Sequence, residues 1–334
     1  MGGGVSCINS TLTLNSVTVR QNVSSSYGGG IYSDTCNLTL DNTWVTANSA
    51  AEGGGGFYLY DSEVVINESI ITGNSTGESY TGGGVYCYDT RLSMIETSLS
   101  ENYSGTGGGV YAIGDTSMVT LDRSLVAGNF AAVEGGGVAV LGGRSLTITT
   151  STISGNAANT YGGGINTRVV TSISHSTVVN NIADADGDDY GNAGGLFCYS
   201  SGCVAEVYQT IIANNIDQNA TPLHDCATWS SGSVVSTGYN LVEATGNCSF
   251  AEADGDITGQ DPQLAPLRDN GGPTQTHALL FGSPAIDAGN TVSPPATDQR
   301  GYPRPLDGDG DGTATCDIGA YEGFWGAFLP LILR

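Results

Sequence analysis

Residues 28–48 read GGGIYSDTCNLTLDNTWVTAN, and this stretch contains the features that decide the fold. A glycine cluster precedes the apolar residue Ile31, Leu38 and Leu40 then lie two residues apart, and the segment closes on Val45-x-x-Asn48. Apolar residues at a spacing of two are typical of a β-strand, because successive side chains of a strand point to opposite faces. The apolar spacing of a helix face is missing. We therefore expect short β-strands separated by tight corners.

The same arrangement recurs eight times, at intervals that average about 27 residues. A fixed period of this length predicts a solenoid, in which a single coil cannot bury its apolar face and stacked coils form a continuous core. We predict an all-β fold, a right-handed parallel β-helix of about eight turns with three strands per turn. Each repeat ends in an asparagine, which we place at a left-handed corner where its amide bonds the asparagine of the next turn. These ladder asparagines are Asn22, Asn48, Asn74, Asn102, Asn129, Asn156, Asn181 and Asn215.

The repeats predict a division of the chain into three parts. Residues 1–216 are expected to form the β-helix, residues 217–322 a loop-rich C-terminal module and residues 323–334 a tail. The first repeat starts at Gly2, and open strand edges invite pairing with another chain. We therefore expect either a longer protein in which a signal and a cap precede the first coil, which we favour, or a homo-oligomer contact at this N-terminal end.

Two sets of motifs resemble known families. The pairing of GG-[IV] with aliphatic-x-x-Asn resembles the repeat of polymorphic outer-membrane proteins, although this chain has Val, Ile or Leu where that family usually has Phe. Residues 225–322 contain DNGGPTQTHALL, FGSPAIDAGN, TDQRGYPRP and CDIGAYE in that order, a series that resembles the C-terminal portion of choice-of-anchor Q proteins. The resemblance implies an exported bacterial protein at the cell surface or outside the cell, with a β-helix body and no assigned reaction.

The charge balance excludes several classes of partner. The chain of 334 residues carries 33 acidic residues against nine basic ones, all of them arginine, so its formal net charge is −24. Nucleic acids and anionic lipid surfaces require clustered cationic side chains, which this composition does not supply. A polyanionic substrate would also be repelled. The sequence contains no run of the ~20 apolar residues that a membrane-spanning helix needs.

Eight cysteines suggest an oxidising compartment, because they lack the paired C-x2-C spacing of zinc sites. We expect disulfides in three pairs, which are Cys226–Cys248, Cys198–Cys203 and Cys7–Cys36. The alternative for Cys7, Cys87 and Cys198 is a small buried apolar side chain, since all three occupy inward positions of their repeats. The pairing of Cys87 and Cys316 stays open.

Two acidic loops have the alternating carboxylates of calcium-binding loops. Asp307, Asp309 and Asp311 are followed by Gly312, and Asp317 is close enough in sequence to complete a ligand set. Asp184, Asp186 and Asp188 repeat the spacing in the longest insertion between repeats. The cofactor predicted from both loops is Ca²⁺. The alternative for each is a solvated acidic loop.

Two functions are compatible with these features. The first is a non-enzymatic surface protein that displays a face for adhesion or assembly, with glycans or a like chain as partners. Tyr32, Tyr58, Tyr86 and Tyr111 recur at one position of successive repeats, which predicts an aromatic column suited to sugars or to packing under a loop. The second function is a polysaccharide hydrolase or lyase with its site near residues 184–192, where Asp188 and Asp189 are the only acidic doublet that resembles a hydrolase pair.

Overall fold

The computed structural model describes residues 2–218, 224–248 and 250–324, and these residues form a parallel β-helix. Each of the first eight coils contributes four strands instead of the expected three, because the two residues after each ladder asparagine pair with those of the neighbouring coil as a short fourth strand. The strands of coils one to three are β1 Val5–Ile8, β2 Thr11–Asn15, β3 Thr18–Arg20, β4 Val23–Ser24, β5 Ile31–Asp34, β6 Asn37–Asp41, β7 Trp44–Thr46, β8 Ser49–Ala50, β9 Phe57–Tyr60, β10 Glu63–Asn67, β11 Ile70–Thr72 and β12 Ser75–Thr76.

The strands of coils four to six are β13 Val85–Tyr88, β14 Arg91–Ile95, β15 Ser98–Ser100, β16 Tyr103–Ser104, β17 Val110–Ile113, β18 Met118–Asp122, β19 Leu125–Ala127, β20 Phe130–Ala131, β21 Val138–Val140, β22 Ser145–Thr149, β23 Thr152–Ser154 and β24 Ala157–Ala158. Those of the remaining coils are β25 Ile165–Thr167, β26 Val170–Ser174, β27 Thr177–Val179, β28 Ile182–Ala183, β29 Leu196–Tyr199, β30 Val204–Tyr208, β31 Ile211–Ala213, β32 Ile216–Asp217, β33 Cys226–Trp229, β34 Ser233–Ser236, β35 Leu241–Val242 and β36 Ile257–Thr258.

Strands at the same place in successive coils stack into four parallel sheets. Sheet 1 runs from β1 to β33, sheet 2 from β2 to β34, sheet 3 from β3 to β36 and sheet 4 from β4 to β32. The register keeps equivalent residues together, as where Ile31 pairs with Phe57 and Phe57 with Val85. Inward side chains therefore stack into columns and form one continuous apolar core, of which Phe57, Leu59 and Ile66 are fully buried members. No helix among the described residues is long and apolar enough to cross a membrane.

The eight predicted asparagines form one hydrogen-bonded ladder, which is buried from Asn48 onward. In each step the backbone N and Nδ2 of one asparagine donate to Oδ1 of the next, as from Asn102 to Asn129 at 3.0 and 2.9 Å. We expected the asparagine itself to have the left-handed backbone conformation, and this is wrong. The residue before it has that conformation, such as Ala47 at φ 53° or Glu101 at φ 56°. The preceding residue therefore makes the corner, and the asparagine supplies the side chain that bonds along the ladder.

The β-helix continues for about one coil beyond the eight turns that the repeat predicts. Cys226 pairs with Leu196, Val234 with Ala205 and Val242 with Ile212, so the expected boundary at residue 216 lies inside the sheets. This ninth coil has no glycine cluster and no ladder asparagine. Asp225 takes the ladder position instead, and its Oδ1 accepts from the backbone N and Nδ2 of Asn215 at 3.0 and 2.9 Å. The repeat signature therefore ends before the fold does.

The C-terminal segment covers the outer side of sheet 3. Leu279, Ala285 and Ile318 pack against Val179 and Ile211, which point outward from that sheet. Polar contacts join the same surfaces, because Gln299 Oε1 accepts from Thr152 Oγ1 at 2.6 Å and His277 Nε2 lies 2.8 Å from Ser154 Oγ. The C-terminal segment is thus fastened to the β-helix by buried contacts. Residues 325–334 of the expected tail lie outside the described residues.

The first coil lies at one edge of all four sheets, with β1, β2, β3 and β4 each paired on one side among the described strands. Its inward residues Val5, Leu12 and Leu14 are only partly buried. The homo-oligomer contact expected at this end stays a prediction.

The structure contains disulfides between the three expected cysteine pairs, Cys7–Cys36, Cys198–Cys203 and Cys226–Cys248. Cys87 and Cys316 are free and buried. We therefore expect a thiol reagent to label two of the eight cysteines when the protein is unfolded without a reductant, and all eight after reduction. Intact-mass measurement of the alkylated protein checks this. Four or more labelled cysteines before reduction would contradict the three bridges.

Candidate functional site

The outer face of sheet 1 carries a column of stacked tyrosines. Tyr32, Tyr58, Tyr86 and Tyr111 occupy paired positions of successive strands, and their ring centroids are 5.5, 4.7 and 5.5 Å apart. Tyr60 and Tyr88 form a second stack beside them at 5.2 Å. Partial burial raises the pKa of Tyr86 to about 12, so its hydroxyl stays neutral at any physiological pH. The rings cover one another, and the column therefore offers mainly ring edges and hydroxyl groups to a partner.

The tyrosine column is interrupted in coils six and seven. Ala139 pairs with Tyr111, and Asn166 and Phe197 follow in the same column. Phe197 stacks on Tyr161 at 4.9 Å, so aromatic rings resume after a gap of two coils. The stack of rings is broken at this gap, because neither Ala139 nor Asn166 has an aromatic ring.

A polar cluster of Glu134, Asn166 and Arg168 lies at this gap. Asn166 Nδ2 donates to Glu134 Oε2 at 2.7 Å, and Arg168 Nη2 lies 3.6 Å from Glu134 Oε1. The Arg168 guanidinium also lies over the Tyr199 ring, 4.7 Å from its centroid, as in a cation–π contact. Asn166 Oδ1 and Arg168 Nε are buried and have no hydrogen-bond partner. Buried hydrogen-bonding atoms normally have partners, so two unpaired atoms in one cluster distinguish it from the regular coils around it.

A cleft of about 390 Å³ opens beside the polar cluster. Its polar lining consists of Glu134, Arg168 and Asp189, and its remaining lining is mostly aromatic. The aromatic residues are Tyr161, Tyr190, Phe197, Tyr199 and Trp229. Hydrogen-bonding and charged groups between aromatic walls provide both orientation and apolar contact for a small polar ligand. A larger groove lies between sheet 3 and the C-terminal segment, where Glu101 is the only carboxylate in the lining.

The insertion at residues 184–192 forms one wall of this cleft. Asp189 and Tyr190 line the cleft, whereas the Asp188 carboxylate turns back and accepts from the backbone N of Tyr190 at 3.0 Å. Of the predicted acidic doublet Asp188–Asp189, only Asp189 therefore lines the cleft. The second carboxylate of the cleft is Glu134, which lies more than fifty residues earlier in the sequence.

The structure brings together all three carboxylates predicted in the first acidic loop, but only two of the four predicted in the C-terminal loop. Asp184, Asp186 and Asp188 each place a carboxylate oxygen within 4.8 Å of the others. In the C-terminal loop the corresponding group is Asp287, Asp307 and Asp309. Asp287 was missed by sequence reasoning, because it precedes the DGDGDG stretch by twenty residues.

Asp311 and Asp317 lie outside the C-terminal group. Asp311 Oδ1 accepts from the backbone N of Thr313 at 2.7 Å. Asp317 is buried, and its two oxygens accept from the backbone N of Asp287 and of Gly323. Burial, and then the neighbouring Glu322 carboxylate, raise the pKa of Asp317 well above its ordinary value. Asp317 therefore contacts the acidic group through the backbone of Asp287, from whose N–H it accepts a hydrogen bond.

Comparisons with known proteins add little to this picture. No family model matches the chain, and no curated protein matches it. Among solved structures the chain is similar to the crystal structure of pectate lyase Pel9A, with 11% identity, a TM-score of 0.42 and coverage of 89% of each chain. A likeness at this level carries no information on function.

Proposed function

We propose that this protein is an exported, non-enzymatic β-helix protein that binds a neutral polysaccharide along the outer face of sheet 1. The observation that carries the proposal is the cleft at the gap in the tyrosine column, where Glu134 and Arg168 face aromatic walls. Sugars present hydroxyl groups around their edge and C–H groups on their faces. Carboxylate and guanidinium groups bond the hydroxyls, and aromatic rings pack on the C–H faces.

The charge distribution favours a neutral ligand over an acidic one. Arg168 is the only cationic residue in the cleft lining, and it already lies beside Glu134. The protein as a whole has a formal charge of −24. A polyanion would approach against this field, whereas a neutral polysaccharide would not.

Export and a surface location are part of the same proposal. Disulfides persist in oxidising compartments and are rare in the cytosol. The three bridges of this chain, together with the resemblance of its repeats and C-terminal motifs to surface proteins, support a place at the cell surface or outside the cell.

Two exposed tryptophans among the described residues provide a matched test. Trp229 lines the cleft and is 54% exposed, whereas Trp44 is 51% exposed on the outer side of sheet 3. We expect retention on at least one neutral polysaccharide, such as a β-glucan, xylan or mannan, in affinity electrophoresis. Trp229→Ala is expected to weaken that retention by about tenfold or more, because it removes one aromatic wall.

The control variant Trp44→Ala should bind as tightly as the unmodified protein, because it lies away from the cleft. Equal weakening by both variants would mean that the cleft is not the binding site. Absence of binding to every neutral polysaccharide, with binding to polygalacturonate, would overturn the choice of ligand class.

A polysaccharide hydrolase is the second candidate, and one observation favours it. Glu134 and Asp189 line the same cleft, and hydrolysis of a glycosidic bond requires two carboxyl groups on either side of the bond. Release of reducing ends from the same polysaccharide panel would establish activity. Glu134→Gln and Asp189→Asn would each then abolish turnover, whereas Glu101→Gln would preserve it, because Glu101 lines the separate groove beside sheet 3 and not the cleft.

A further inference from the structure

The insertion that forms the cleft wall contains an acidic loop with one unusual member. Residues 184–191 read DADGDDYG and lie between β28 and β29. One carboxylate oxygen from each of Asp184, Asp186 and Asp188 falls within 4.8 Å of the other two. Asp186 and Asp188 are exposed, but Asp184 is fully buried.

The Asp184 carboxylate has one oxygen without a partner. Its Oδ1 accepts from the backbone N of Asp188 at 3.1 Å, while its Oδ2 is buried and has no hydrogen-bond partner. None of the ion pairs among the described residues involves Asp184. A buried carboxylate oxygen that lacks a donor or a cation is costly, so it points to a positively charged ligand that completes it.

The charged groups nearest to Asp184 are also acidic. The carboxylates of Asp186, Asp188 and Asp217 are the charged groups that act on its buried side chain. Asp217 belongs to the next coil, where it pairs in register with Ala183, and its own carboxylate lies 3.4 Å from His224 Nδ1. A divalent cation among these groups would give the buried Asp184 carboxylate a partner and would reduce the repulsion between the carboxylates.

We propose that Asp184, Asp186 and Asp188 bind Ca²⁺, with Asp184 Oδ2 as the inner ligand and the two exposed carboxylates completing the protein side of the shell. Oxygen ligands alone, with no cysteine or histidine in the group, select a hard cation. Ca²⁺ accepts the irregular geometry of a surface loop and fills remaining positions with water, whereas Mg²⁺ requires a near-ideal octahedron.

The ion has a structural consequence for the cleft. Asp189, Tyr190 and Gly191 directly follow the ligands and line the cleft, and Tyr190 is tied to Asp188 through its backbone N. Bound Ca²⁺ therefore fixes the wall that carries Asp189 and Tyr190. This coupling rests on the proposed function, whereas the ion site itself does not.

To test the site, the full chain is treated with a chelator and then titrated with CaCl₂ by isothermal titration calorimetry. Asp186→Asn/Asp188→Asn removes two exposed ligands and should weaken Ca²⁺ binding at this site by about tenfold or more, because ligand charge sets affinity. Asp307→Asn/Asp309→Asn is the matched control, since it removes two carboxylates from the other acidic group. It should retain the site at residues 184–188. Circular dichroism confirms that both double variants are folded.

Two results would overturn the site: no Ca²⁺ binding by the unmodified protein, or undiminished binding by Asp186→Asn/Asp188→Asn. The titration contains no polysaccharide, so failure of the proposed function leaves its outcome intact. Chelation should in addition weaken polysaccharide retention by the unmodified protein but not by Asp186→Asn/Asp188→Asn. Equal retention with and without chelator would overturn the coupling of the ion to the cleft wall.

Discussion

Asn129→Ala is expected to lower the free energy of unfolding by roughly 3–5 kcal/mol, because it leaves several buried hydrogen-bonding groups without partners. Asn129 Oδ1 accepts from the backbone N and Nδ2 of Asn102 at 3.0 and 2.9 Å. Its Nδ2 donates to the Asn156 side chain at 2.9 Å and to the Leu99 carbonyl at 3.0 Å. The site is fully surrounded, so water cannot replace the lost groups without a cavity forming first.

The control for this prediction is Asn22→Ala at the start of the same ladder. Asn22 is only partly buried, and water can reach the groups that the truncation exposes. We expect Asn22→Ala to lower the free energy of unfolding by less than half as much as Asn129→Ala does. Urea-induced unfolding followed by circular dichroism gives both midpoints, together with unfolding rates. Similar losses at the two positions would show that the ladder does not stabilise the fold through burial of its amides.

Stability is expected to fall by about 2–4 kcal/mol between about pH 5 and pH 8 because of Asp225 alone. Burial raises the pKa of Asp225 to about 7, although hydrogen bonds from Asn215 and Ala244 oppose the shift. Above the ordinary carboxyl pKa the unfolded chain has lost this proton, whereas the folded protein retains it up to about pH 7. Unfolding therefore releases a proton within this window, and the free energy of unfolding decreases as the pH rises through it.

Asp225→Asn is the test of this pH dependence. The amide cannot ionise, so the variant should be less sensitive to pH than the unmodified protein between about pH 5 and pH 8. Urea midpoints are measured at both pH values in high salt, which screens the many surface carboxylates. If both proteins lose the same stability, Asp225 is not the titrating group. The comparison between the two slopes is independent of any constant cost of the substitution.

The sequence predicts the coil because the fold depends on local, repeated chemistry. In each repeat a glycine cluster forms a tight corner, alternating apolar residues fill the core and an inward asparagine bonds the next coil. The prediction does not reach the ninth coil because Asp225 accepts the ladder hydrogen bonds from a different place in the chain, just before β33 rather than after a third strand. A pattern defined by residue type and spacing does not detect such a replacement.

The candidate site was harder to predict because its residues come from separate repeats. Asn166 interrupts the tyrosine column, and this substitution is visible in the sequence as a break in a regular series. Glu134 and Arg168 carry no comparable signal, since each lies at a position that holds other residue types in the remaining repeats. Only the stacking of coils brings them together, and only the path of the insertion brings Asp189 to the same cleft.

The asparagine ladder also makes the rod directional. Along the ladder each amide donates to the next asparagine and its Oδ1 accepts from the previous one, so the side-chain dipoles add along the axis, although each inner Nδ2 also donates to a backbone carbonyl of the previous coil. The last asparagine consequently needs an acceptor, and Oδ1 of the Asp225 carboxyl group supplies it where another amide would merely extend the series. The two ends of the rod are chemically distinct for this reason, and a segment shaped to close one of them could not close the other.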